Sequence, residues 1–273
     1  MPITNINVSG WEEFQDRLTE VLESERSQGR KTDFLYRGLG DSAWALDTTL
    51  ERDGHREMSV SAYYSVISRA KPSIESLTSM RWTLVEFPKV DEALRSPDSW
   101  NLHQFPDQET YSYMIHLRHH GFPSPLLDWT RSPYVAAFFA FRAVASVKKR
   151  NVSICVFSES PSGFHGDSLG EPKVSSMGRF VTTHRRHYLQ QSEYTMCGVF
   201  REKWHFAEHE DVMARADPKQ DVLWRFNIPG TERLKVLRLL DSYNLNAFSL
   251  FGSEESLMET LALRELGPRD LAP

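Results

Sequence analysis

Cysteine is nearly missing from this 273-residue chain, which holds only Cys155 and Cys197. Two cysteines make no disulfide framework, and a cysteine-rich zinc site would need several histidines beside them. The expectation is buried free thiols in a reducing compartment, so the chain is read as cytoplasmic, with no metal site. No apolar run is long enough to span a membrane. The opening residues Met1 to Gly10 also lack the basic and apolar regions of a signal peptide. Positive charge is not in excess: 32 Lys and Arg stand against 37 Asp and Glu, a formal net charge of −5. That excludes a global basic field able to gather nucleic acid, so any such contact needs a local patch. Internal repeats and low-complexity tracts are absent as well. What is left is an ordinary globular composition, 40% hydrophobic and 25% charged, in a chain long enough to bury a full core.

Periodicity gives the elements. Ser9-Gly10-Trp11-Glu12 fits a capping box, and Trp11, Phe14, Leu18, Val21 and Leu22 follow at helical spacing. Asp33 to Gly38 reads as a strand ending in Arg-Gly, with Trp44, Leu46 and Leu50 continuing as an extended segment. Met58–Ala70 and Glu109–His120 read as helices. Between them, Pro72, Pro88, Pro97 and Pro106 interrupt aromatic residues including Trp82, Phe87 and Trp100. The region of about 58–107 is therefore expected to be a helical and loop insertion, a lid or a partner surface. Val152–Phe157, Glu193–Phe200 and Val222–Ile228 read as strands, and Ser158–Gly178 as a loop. Thr231–Asp241 reads as a helix and Leu245–Phe251 as extended. Ser253 then caps a last helix whose first turn holds Glu254 and Glu255. Lys148-Lys149-Arg150 forms a basic helix exit.

Leu117–Phe141 is the most informative stretch. An apolar run ends in Asp128-Trp129-Thr130, and Ser132 and Pro133 suit the N-cap and first position of a helix. Val135, Phe138 and Phe139 give that helix an apolar face. A strand that ends in polar residues and turns at once into a packed helix presents side chains rigidly. Together with Tyr36-Arg37-Gly38, this block resembles the FRG domain family. The family pairs an aromatic-Arg-Gly motif with a later block, matched here by His119, Gly121, Pro123, Leu126 to Thr130, Val135, Ala136 and Phe139. The order Arg37, then Thr130, then Gln191-Ser192-Glu193 further resembles the motif order of ADP-ribosyltransferases. At this last position the family's block reads Gln-Gln-Gly-x-Phe-Thr, so Ser192 and Glu193 depart from it.

The resemblance implies a single α+β domain over 1–273, with a split, mostly antiparallel central sheet and a cleft for NAD. It implies an NAD-dependent transferase acting as a toxin or antiphage effector, with an antitoxin or chaperone as partner. Tyr36, Arg37, Gly38, His119, Asp128 and Thr130 would bind NAD, Arg37 as a bidentate donor to its diphosphate and Gly38 by letting it approach the backbone. Glu193 would be the catalytic carboxylate, stabilising positive charge on the ribose, with Arg37 and Gln191 beside it. Arg185, Arg186 and Tyr194 would meet the acceptor, RNA or single-stranded DNA, through charge and stacking. Each residue also has a plainer reading. Arg37 and Asp128 suit a structural ion pair, Trp129 the core, and the cluster His184 to His187 a solvated loop. Glu254 and Glu255 are the alternative carboxylates. Two other functions stay open: a non-catalytic nucleic-acid or nucleotide binding module, and a nuclease or hydrolase using Asp128, His119 and Glu193.

Overall fold

The computed structural model describes residues 3–30, 33–99, 105–142, 150–161, 170–215 and 220–266. Trp100, Lys148 and Lys149 lie outside them. Eight strands form one sheet: β1 (Thr4–Asn7), β2 (Leu35–Leu39), β3 (Leu127–Thr130), β4 (Asn151–Ser158), β5 (Lys173–Ser176), β6 (Ser192–Phe200), β7 (Trp204–Phe206) and β8 (Val222–Pro229). Their order is β1-β8-β4-β2-β3-β6-β5, with β7 also on β6. Among the described residues only β1 and β8 pair in parallel. The helices are α1 (Trp11–Ser27), α2 (Thr49–Arg52), α3 (Val60–Thr78), α4 (Phe87–Ala93), α5 (Gln108–His119), α6 (Pro133–Arg142), α7 (Arg185–Leu189), α8 (His209–Met213), α9 (Arg233–Ser242), α10 (Ala247–Phe251) and α11 (Glu254–Leu266). This is a mixed α/β fold around a mostly antiparallel open sheet.

The expected split sheet is replaced by a continuous one. It is narrowest in the middle, where β2 and β3 share a single register pair, Tyr36 opposite Thr130. On one face, Tyr36 packs with α1, α6 and α9 in a core that includes Trp11, Phe14, Phe141, Phe226 and Leu240. On the same face beyond the junction, α3 and α5 pack Tyr63, Tyr64, Ile67 and Tyr113 onto Tyr194 and Met196 of β6. The other face buries Leu35, Leu39, Trp129, Cys155, Phe157 and Cys197 beneath Val212 and Met213 of α8. Both thiols are free and buried.

Several elements differ from the sequence reading, each because local pattern yields to context. The expected insertion is helical, and it buries Tyr63, Tyr64, Ile67 and Val90 in the core. α3 carries on through Pro72 to Thr78. Residues 245–251 are not extended: Asn246 forms a capping box with Ser249 and opens α10, which Gly252 ends at φ 66. Leu46 belongs to an irregular segment and Leu50 to α2, which a Thr48–Glu51 capping box starts. At α1 the cap is Gly10, and the Glu13 carboxylate, not that of Glu12, accepts from Ser9. β5 lies inside the expected loop, and β1 and β7 carry too little alternation to be seen. Ser132 does cap α6, accepting from the Val135 N–H at 3.3 Å. Among the described residues no helix is long and apolar enough to cross a membrane.

Candidate functional site

Where β2 and β3 diverge past their one shared pair, a cavity of about 350 Å³ opens. That lies in the usual range for small-molecule sites, roughly 300–1,000 Å³. Arg37 enters from β2, its side chain only 13% exposed. Its Nη1 donates to the backbone carbonyl of Asp128 at 2.6 Å and lies 4.0 Å from that residue's carboxylate. The strands have no ladder bond here, so a side chain bridges them instead. Burial pulls the guanidinium down from its ordinary value to about 10, Asp128 opposing and Arg118 and Arg52 adding to the fall. It is still a cation at neutral pH.

Asp128 faces Arg37 from β3 and forms a short ion pair with Arg118, from the last turn of α5. One residue on, His119 meets the Tyr194 hydroxyl through Nε2 at 3.0 Å. Burial lowers its pKa from 6.5 to about 4, Asp128 opposing, so the imidazole is neutral at pH 7. Arg52 reaches the cavity from the end of α2. The far wall comes from α7, the start of β6 and α10. It presents Arg186, Gln190, Ser192 and Phe251, with Phe139 of α6 beside them. The Arg186 guanidinium lies 5.4 Å from the Phe251 ring centroid. Among the described residues, four arginines thus line a cavity whose one acidic lining residue is Asp128. The Nε atoms of Arg37, Arg118 and Arg186 are buried with no hydrogen-bond partner.

Arg37, Tyr36, Gly38, His119, Asp128, Thr130 and Arg186 all line this cavity. Glu193 does not. It pairs with Trp129, while Asp128 pairs with Tyr194 and Thr130 with Ser192. Alternation along the strand puts Glu193 on the face of Trp129, turned away from Asp128 and Thr130. There it lines a separate hollow of about 380 Å³ with Asp33, Glu159 and Arg179. Burial raises its pKa, Arg179 opposing. The expected meeting of Arg37, Thr130 and Glu193 in one crevice is not found. Gln191 is exposed in the left-handed region at φ 48, and its neighbour Gln190 lines the cavity instead.

Other residues are placed but differently employed. Tyr194 is fully buried, edge-on to Tyr111 and bonded to His119, so it has no free face for an acceptor base. The Thr130 hydroxyl donates to the Gln190 carbonyl at 2.7 Å and accepts from the Ser132 N–H, which fixes the turn after β3. Gly38 is needed for packing: a Cβ there would meet the Ala136 carbonyl oxygen at 1.9 Å. Tyr36 is a buried core residue whose phenol burial pushes up to about 12. Arg185 is exposed on α7. Glu254 and Glu255 open α11 at the surface, outside the cavity. Among the described residues no group of three or more His, Cys, Asp or Glu is placed to hold a metal ion.

Arg52, Arg118, Phe139, Gln190 and Phe251 were not foreseen as ligand-facing. Arg118 adjoins His119 of the recognised block and was findable there. Arg52 and Phe251 reach the cavity only through tertiary packing.

Fold and site together define a mixed α/β domain with a cationic cavity at the junction of its sheet. Residues 32–149 match the FRG domain, which supports the family that Tyr36-Arg37-Gly38 and the Leu126–Thr130 block pointed to. No curated protein matches the chain, and no solved structure does.

Proposed function

We propose that the Arg37 cavity binds NAD through its diphosphate, and that the chain transfers ADP-ribose from NAD to a nucleic acid, RNA before single-stranded DNA. The toxin or antiphage setting and an antitoxin or chaperone partner belong to the same proposal. The observation that carries it is the gathering of Arg37, Arg52, Arg118 and Arg186 around one cavity in a chain of net charge −5. Guanidiniums present fixed forks that match phosphate oxygens, and hydrogen bonds to charged groups contribute roughly 1.5–3 kcal/mol each.

Each residue then has a task. Arg37 and Arg118 would hold the phosphates, and Arg52 would add charge at the mouth. Asp128 would accept from a ribose hydroxyl. Transfer breaks the bond from the ribose to nicotinamide and builds positive charge on the sugar, which a facing carboxylate stabilises. Asp128 takes that role in place of Glu193, because it is the carboxylate that faces the cavity. Exposed Arg185 would meet acceptor phosphates beside the entrance.

The test is incubation with NAD labelled in its adenylate half, with and without RNA. The expected result is nicotinamide release and label in RNA, both lost in Asp128→Asn. Absence of release and label with the wild-type protein contradicts the transferase reading. One observation favours a binding module: Asp128 is already paired with Arg118 and lies 4.0 Å from Arg37, which spends much of its charge. NAD binding without nicotinamide release would select that reading.

A further inference from the structure

The cavity has a second chemical character beside its charge. Its α7–α10 wall is aromatic: Phe251 closes α10, and the Arg186 guanidinium lies 5.4 Å from the centre of its ring. That ring is held from several sides. Phe139 meets it edge-on at 5.9 Å and 88°. Arg142 lies 4.5 Å from its centroid and is itself fixed by two 2.8 Å bonds to Glu259. Gln190 ties α7 to α10 by donating to the Leu250 carbonyl at 3.2 Å. With Arg142 and Arg186 both lying over the ring, the Arg186 guanidinium and Phe251 form one constrained stack that a planar heteroaromatic group can extend. Nucleobases stack on aromatic side chains and on arginine planes alike.

Resting on the nucleotide reading above, we infer that the Arg186–Phe251 wall is a base subsite that seats the adenine ring, while Arg37 and Arg118 form the phosphate end. The subsite lies outside residues 32–149, so the matched segment provides the anion site and the remainder of the chain selects the base. Ligands carrying a diphosphate and a purine should therefore bind better than the diphosphate alone.

Calorimetry with ADP and with inorganic pyrophosphate tests this on the full chain. Wild-type protein is expected to prefer ADP. In Phe251→Leu that preference falls about tenfold, the scale of one lost stacking partner. Phe251→Trp restores it, which separates stacking from simple damage to the fold, and thermal melts accompany each variant. If wild-type protein binds both ligands and Phe251→Leu keeps the same preference, the base subsite is wrong while the phosphate site stands. Should Phe251→Leu fail to fold, loss of the preference in folded Phe251→Trp overturns the subsite by itself. If wild-type protein binds neither ligand, the cavity reading falls and the subsite with it.

Discussion

At the scale of single residues, neighbours along β2 do different work. Arg37 reaches the cavity and bridges two strands, whereas Gly38 lets α6 lie against the sheet. Gly38→Ala forces a methyl into the Ala136 carbonyl. It should destabilise the fold by about 1–3 kcal/mol, the usual cost of overpacking, seen as a lower urea midpoint with an unchanged slope. An unchanged midpoint would mean that α6 shifts freely. Glu193 makes the opposite case. Its carboxylate lines a separate hollow with Arg179 and not the Arg37 cavity, so Glu193→Gln should leave NAD affinity within twofold of wild type by calorimetry. A tenfold loss would return Glu193 to the site. The Arg-Gly motif and the Asp-Trp-Thr strand end were legible because residue type and spacing advertise them. The fate of Glu193 was not, since which hollow a strand residue lines is set by the distant segments packed over it, here Asp33, Glu159 and Arg179.

At the scale of elements, helices and strands with strong period were readable: α1, α5, α6, β4 and β8. Short ones were not. α10 has five residues, and its capping box of Asn246 and Ser249 gives weaker local signal than the apolar run that suggested an extended segment. The cavity depends on such elements, because α7, α10 and the gap between β2 and β3 exist only once distant segments pack. One buried network ties β3, β6 and α8 together behind the cavity. Trp129 Nε1 donates to Thr195 Oγ1 at 2.8 Å, and the same hydroxyl meets His209 Nε2 at 2.9 Å. Thr195→Val keeps the shape and strands both partners. With roughly 1–3 kcal/mol lost per unsatisfied buried group, the expected destabilisation is about 2–6 kcal/mol by urea unfolding. A loss below about 1 kcal/mol would show that the network carries little stability.

At the scale of the whole molecule, an acidic chain concentrates arginine in one hollow, and charge alone did not reveal it because only the fold gathers Arg37, Arg52, Arg118 and Arg186. Histidine burial gives a second molecule-wide property. Burial lowers His116 and His119 from 6.5 to about 4 and His209 to about 3. Between those values the unfolded chain binds more protons than the folded one. Stability is therefore full above pH 6.5 and declines as pH falls toward 4. Urea midpoints should be lower at pH 5 than at pH 7.5, and equal midpoints would contradict the burial of these rings as neutral groups. The central claim, that the Arg37 cavity is a nucleotide diphosphate site, is tested most directly by calorimetric titration of NAD into wild-type protein and Arg37→Ala. Saturable binding by the wild type, weakened at least about tenfold in the variant, is the predicted result. Equal binding by both proteins, or none by the wild type, would contradict it.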